Sequence, residues 1–137
     1  MGDDAADSIN RDEVLVPLAN ALLQAGAGDG RQAVVLAGNA VDSYLTALAG
    51  RLLVNLAGAT GINAKLDKFG TANKIPKKLI FMGKYLGHVR NAADHGIDAD
   101  VNAAWQIQAT TGLEYVYVTC SFISALYARE VNASHKI

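Results

Sequence analysis

The sequence predicts an all-α protein, an up-and-down bundle of four to five helices. Three observations lead there. Of its 137 residues 51% are apolar but only 7% aromatic, and the apolar share is mostly Ala, Leu and Val, which favours helices over a sheet sandwich. Apolar residues recur at three- and four-residue spacing along four separate segments. The segments are parted by short links or by Gly- and Asn-rich stretches, and the two prolines both stand where a first helical turn accepts them.

Residues 1–11 read as an acidic, flexible tail, and 12–137 as a single domain, large enough for a core of its own. The first helix runs over 12–25, with Val14, Leu18, Leu22 and Leu23 facing inward. Pro17 fits near its first turn, and Gly26 ends it. The tight link from Ala25 to Gly30 makes helices one and two antiparallel neighbours. The second helix spans 30–57. Asp29 caps it, and Val34, Ala37, Val41, Tyr44 and Leu48 form its core stripe, while Gly38 and Gly50 weaken it. Residues 58–75, rich in Gly, Asn and Lys, read as a loop with at most one helical turn at 63–69. Pro76 opens the third helix, 76–95, which His95-Gly96 closes. Residues 97–109, with Trp105, form an irregular connection. Thr111-Gly112-Leu113-Glu114 has capping-box spacing and opens the last helix, to 131, with Leu113, Val116, Cys120, Ile123 and Tyr127 inward. Residues 115–119, YVYVT, are β-prone, but the surrounding helical period outweighs them.

One cysteine rules out an internal disulfide and suits a reducing cytoplasm. No segment reads as a signal peptide or a membrane span. Phosphate-loop, zinc-protease and Cys/His cluster motifs are all missing, so neither a metal nor a cofactor is expected. Net charge is −1, but the charge is unevenly spread. Residues 65–95 hold seven basic side chains against Asp67 and Asp94, a patch that would concentrate phosphate-bearing partners.

Inside that patch lies LGHVRNAADHGI, residues 86–97, with two of the three histidines. At about 100° per residue, Leu79, Met82, Leu86, Val89 and Ala93 make the core stripe of the third helix. Lys84, His88, Asn91 and His95 form a polar stripe. Gly83, Gly87, Arg90 and Asp94 share a third sector, where the two glycines would let the backbone of another helix come close. Arg90 and His95, five residues apart, lie about 140° apart around a straight helix. Either the helix loosens near Gly96 and swings His95 round, or a second copy supplies its own motif across a two-fold axis. The Gly83/Gly87 groove is the expected place for two such helices to meet.

The run Arg90-Asn91-Ala92-Ala93-Asp94-His95 resembles the R-x4-H signature of the HEPN superfamily. In that family the motif has a polar residue after its Arg and sits late in the third long helix of a compact bundle. The segment Ala40-Val41-Asp42-Ser43-Tyr44-Leu45 is similar to the family's second-helix A-x-E-x-Y/L context, with Asp for Glu. The resemblance spans about 13 to 131. It implies a metal-independent endoribonuclease acting as a homodimer, in a toxin, phage-defence or RNA-processing role, with an antitoxin or defence protein as partner. Family members paired with nucleotidyltransferase antitoxins often carry Tyr two residues after the His; here that place is Ile97.

The residues suit that chemistry. Imidazole transfers protons in both directions near neutral pH, so His95 serves as base toward the 2′-hydroxyl or as acid toward the leaving 5′-oxygen. Arg90 keeps its charge and grips phosphate oxygens as negative charge develops. Asn91 donates to a phosphate oxygen or orients the imidazole. Asp94 holds Arg90, Asp42 orients Arg90 or His95, and His88 is a further candidate. Lys77, Lys78 and Lys84 hold the RNA backbone without reading sequence. The competing expectations are a HEPN-like module that binds nucleotide, nucleic acid or a partner protein without turnover, and a helical adaptor in which the motif is coincidental.

Overall fold

The structure is a computed structural model. It describes the backbone of residues 11–95, 97–98, 103–104 and 109–135 and the side chains of residues 12–93 and 111–130. The expected tail, Trp105 and the Asp94 and His95 side chains therefore lie outside the described residues.

The chain is an all-α bundle. A π turn, Arg11–Leu15, leads into α1 (Val16–Gly26); then come α2 (Gly30–Leu52), α3 (Ile62–Thr71), α4 (Lys77–His95) and α5 (Ala109–His135). Between α4 and α5, β1 (Ile97–Asp98) pairs antiparallel with β2 (Ala103–Ala104), Ile97 opposite Ala104. The π turn has a local cause. The Pro17 ring would crowd the carbonyl four residues earlier, and a wider turn relieves the clash.

The most central helix is α2, packed on α1, α4 and α5. Asp29 caps it by accepting from the Gln32 backbone N–H at 3.0 Å. Val34, Ala37, Val41, Tyr44 and Leu48 are buried as expected. By length and composition α2 could cross a membrane, yet over half of its most apolar window is buried inside the bundle. It ends at Leu52, before the expected 57, because Leu53 turns left-handed at φ 59°. That turn exposes Leu53 and tucks Val54 into the core, with the Val54 N–H donating back to the Ala49 carbonyl.

Further expectations need correcting. The inward residues are Val14 of the π turn and Leu18, Ala21 and Ala25 of α1, whereas Leu22 and Leu23 are 46% and 70% exposed. Small alanines let α1 lie close on α2, and the two leucines fall outside that seam. Residues 62–71 form a ten-residue helix where a loop was expected. Its Ile62, Leu66 and Phe69 are buried, and burial at four- and three-residue spacing outweighs the Gly- and Lys-rich composition. Cys120 is exposed; the inward positions of α5 are Tyr115, Val116, Thr119, Phe122, Ile123 and Leu126.

Candidate functional site

The core stripe of α4 is as expected. Leu86 and Ala93 are buried, and Leu79, Met82 and Val89 pack against the core. The glycine sector is filled from within the chain. A Cβ at Gly83 would fall 2.7 Å from Leu66 Cδ1 and 2.8 Å from Phe122 Cζ, and one at Gly87 would run into the Asn63 side chain. The expected meeting of two copies along this groove is thus displaced by α3 and α5 of the same chain.

Arg90 leaves that sector toward α2. Its stem lies over Gly38, where an added Cβ would come within 2.8 Å of Arg90 Cδ. Its Nη2 donates to Asn39 Oδ1 at 2.6 Å. A mid-helix glycine, costly to helix stability, is here the notch that lets an arginine cross the helix. One turn earlier on α4, Tyr115 Oη donates to the Leu86 carbonyl at 2.6 Å. Burial pushes the Tyr115 phenol well above its ordinary range, and the nearby Arg90 charge only partly offsets this, so the phenol stays a neutral donor.

A second arginine reaches the same end of α4. Arg31, in the first turn of α2, donates from Nε to the Ala93 carbonyl at 2.5 Å. Close by, the start of α5 crosses the start of α2 so tightly that a Cβ at Gly112 would sit 2.7 Å from Gly30 Cα. The starts of α2 and α5 therefore meet where α4 ends.

The other candidates are placed as follows. Asn91 and His88 are exposed. Asp42 Oδ1 accepts from Lys65 Nζ at 2.6 Å, and Asn39, nearly one turn before Asp42, reaches Arg90. The backbone stays helical through His95, so His95 is not swung round by an earlier opening of the helix; Gly96 lies outside the described residues. Lys84 is paired with Asp67 at 2.6 Å, while Lys77 and Lys78 are exposed and make no ion pair among the described residues.

Sequence reasoning missed Asn39, Arg31, Phe81 and Tyr85. Asn39 and Arg31 become visible only when α2 and α4 are packed. The aromatic pair had a signal: both sit outside the core stripe of α4, four residues apart, and they are 70% and 53% exposed. An open groove of about 460 Å³ lies between the end of α3 and the start of α4, with Lys77 on its wall; it does not include Arg90. Among the described residues no group of three or more His, Cys, Asp or Glu side chains could hold a metal ion. Compared with known proteins, the chain matches no family model, no curated protein and no solved structure.

Proposed function

We propose that this protein is a metal-independent endoribonuclease that acts as a homodimer, with Arg90 and His95 as its catalytic pair. The observation that carries this reading is the mounting of Arg90, seated in the Gly38 notch and directed by Asn39 at 2.6 Å. A guanidinium fixed in direction suits an electrostatic role toward a phosphate. Because α4 stays helical through His95, the backbone positions of residues 90 and 95 remain about 140° apart. That separation favours a site completed by His95 of a second copy.

In the reaction, the 2′-oxygen loses its proton to an imidazole and attacks the adjacent phosphorus. The bond from phosphorus to the 5′-oxygen breaks, and that oxygen takes the proton from the imidazolium so formed. The products are a 2′,3′-cyclic phosphate and a free 5′-hydroxyl. Arg90 offsets the charge gathering on the phosphate oxygens, and Asn91, exposed on the same turn, donates to them. The cellular setting that accompanies this chemistry is a cytoplasmic toxin or phage-defence system with a protein partner that restrains it.

The test is single-stranded RNA incubated with the protein in excess chelator. Cleavage leaving cyclic phosphate ends is expected, falling by about 10²-fold or more in Arg90→Ala and in His95→Ala. Mixing the two inactive variants should restore about a quarter of the activity, because half of the random dimers carry one intact site. Cleavage that survives both substitutions removes these residues from the chemistry. No recovery on mixing places Arg90 and His95 in the same chain.

One observation favours a second reading. Lying across Gly38 and bonded to Asn39, Arg90 also ties α4 to α2, as an architectural clamp would in a non-catalytic HEPN-like module. That module predicts that Arg90→Ala lowers the unfolding midpoint while RNA is bound and never cut.

A further inference from the structure

We infer that the outward face of α4 is a docking platform for single-stranded RNA, on which Phe81 and Tyr85 stack against bases and Lys77, Lys78 and Lys84 hold phosphates. This takes RNA as the ligand from the reading above, but it does not depend on cleavage.

Exposed apolar side chains are ordinary when scattered. Phe81 and Tyr85 are not scattered. They are 70% and 53% exposed and stand four residues apart, so they share one helix face. Their backbone positions differ by about 6 Å along the axis, close to the thickness a base fills when stacked at roughly 3.4 Å on both sides. Around a straight helix Lys77, Lys84 and His88 lie within about 60° of Phe81, and Lys78 lies beside Tyr85. Lys77, Lys78 and His88 are exposed. Lys84 is paired with Asp67, whose side chain is 64% exposed, and such a surface pair is weak enough for a phosphate to replace it.

The charge decides the occupant. Flat rings set among lysines fit a polyanion with π-faces, which describes single-stranded nucleic acid. A second copy docked two-fold on this face would bring lysines against lysines. The exposed Leu22 and Leu23 of α1 make the contrast, since α1 carries no charged residue at all. The platform also leads to the motif: around a straight helix His88, Asn91 and the backbone position of His95 fall within about 80° of Phe81, whereas Arg90 stands on the opposite side, toward α2.

The test uses the full chain and a fluorescein-labelled 2′-O-methyl RNA dodecamer, whose blocked 2′-oxygen prevents cleavage, both single-stranded and as a duplex. Anisotropy should show that Phe81→Ser with Tyr85→Ser weakens single-strand binding about 10-fold or more and leaves duplex binding unchanged. Phe81→Trp, with a larger ring, should bind the single strand at least as tightly. Lys77→Gln with Lys78→Gln should weaken both forms alike and flatten the salt dependence. The platform is overturned if wild-type protein does not bind the single strand, if the double serine variant binds it as well as wild type, or if that variant changes the oligomer mass by light scattering, which would make the face a contact between copies. Because this probe cannot be cut, a failure here is separate from the cleavage results for Arg90 and His95.

Discussion

Two of the arginines that join α2 to other helices are held by different kinds of partner. Near its C-terminus, Arg51 grips Glu130 of α5 with two bonds, Nε to Oε2 at 2.6 Å and Nη2 to Oε1 at 3.1 Å. Its guanidinium carbon lies 5.7 Å from the centre of the Tyr44 ring. Burial works to lower the Arg51 pKa, but the hydrogen bond and charge of Glu130 outweigh it, and the net shift is upward. Toward the N-terminal half, Arg90 crosses from α4 and donates to the amide oxygen of Asn39. The first arrangement opposes charge to charge and fastens two helices. In the second, the amide oxygen of Asn39 gives the guanidinium its direction. A bidentate carboxylate both fixes an arginine's position and pairs its charge, whereas a bond to an amide oxygen fixes direction alone.

The strongest way to break this comparison is to exchange each arginine for lysine. Arg90→Lys should lower RNA cleavage by about 10²-fold, because an ammonium cannot hold Asn39 and a phosphate in one plane. Arg51→Lys should leave cleavage unchanged, as a timed gel assay would show. Equal losses at both sites would end the distinction.

Gly38→Ala comes next in size. The new Cβ runs into Arg90 Cγ and Cδ and meets Arg90 Cβ at 3.0 Å, so close to the α4 backbone that α4 itself must shift, at a cost of about 1–3 kcal/mol. On the proposed reading that displacement of the Arg90 charge also lowers cleavage by about 10-fold, with a lower melting midpoint beside it. A variant with full cleavage would show that the notch does not position Arg90.

At the clasp, Glu130→Gln should cost about 1 kcal/mol of stability in urea unfolding and leave RNA binding and cleavage untouched. The tyrosines beside the two arginines sharpen the contrast further. Tyr44 Oη is buried and makes no well-formed hydrogen bond among the described residues, so Tyr44→Phe should be neutral or slightly stabilising. Tyr115 Oη donates to Leu86, so Tyr115→Phe should cost about 1 kcal/mol.

The same two residues set an alkaline limit. Burial, chiefly, raises Tyr44 to about 12, and it raises Tyr115 as well. A phenol with a raised folded pKa contributes stability that is complete below its unfolded value near 10 and is lost as pH rises through the folded value. Melting midpoints should therefore hold to about pH 10 and then fall, less steeply in Tyr44→Phe. A midpoint that is flat through pH 11 would mean these phenols ionise without unfolding the chain.

Much of this was legible in the residues and some was misread. The period of α2 and α4 gave their core stripes, and Asp29 announced its cap, because amphipathic spacing and capping are local properties. α3 carried its signal in Ile62, Leu66 and Phe69, but Gly- and Lys-rich composition was given more weight than spacing. Leu22, Leu23 and Cys120 were expected inside because they are apolar. Which apolar residues a helix buries depends on how closely its neighbour approaches, and the alanines of α1 and Thr119 of α5 settled that. Phe81 and Tyr85 were passed over because a search for polar candidates ignores aromatics outside the core stripe.

The sequence alone determined an all-α chain, the helix that carries Arg90 and His95, and the basic stretch around them, since helical period and charge order are written in neighbouring residues. Only the tertiary structure decided that Asn39 meets Arg90 while Asp42 pairs with Lys65, that Gly38 is a notch, and that α3 fills the groove expected to receive a second copy. Those outcomes depend on how helices distant in sequence are rotated and spaced against one another. That is fixed by packing the whole core at once and cannot be read from any single segment.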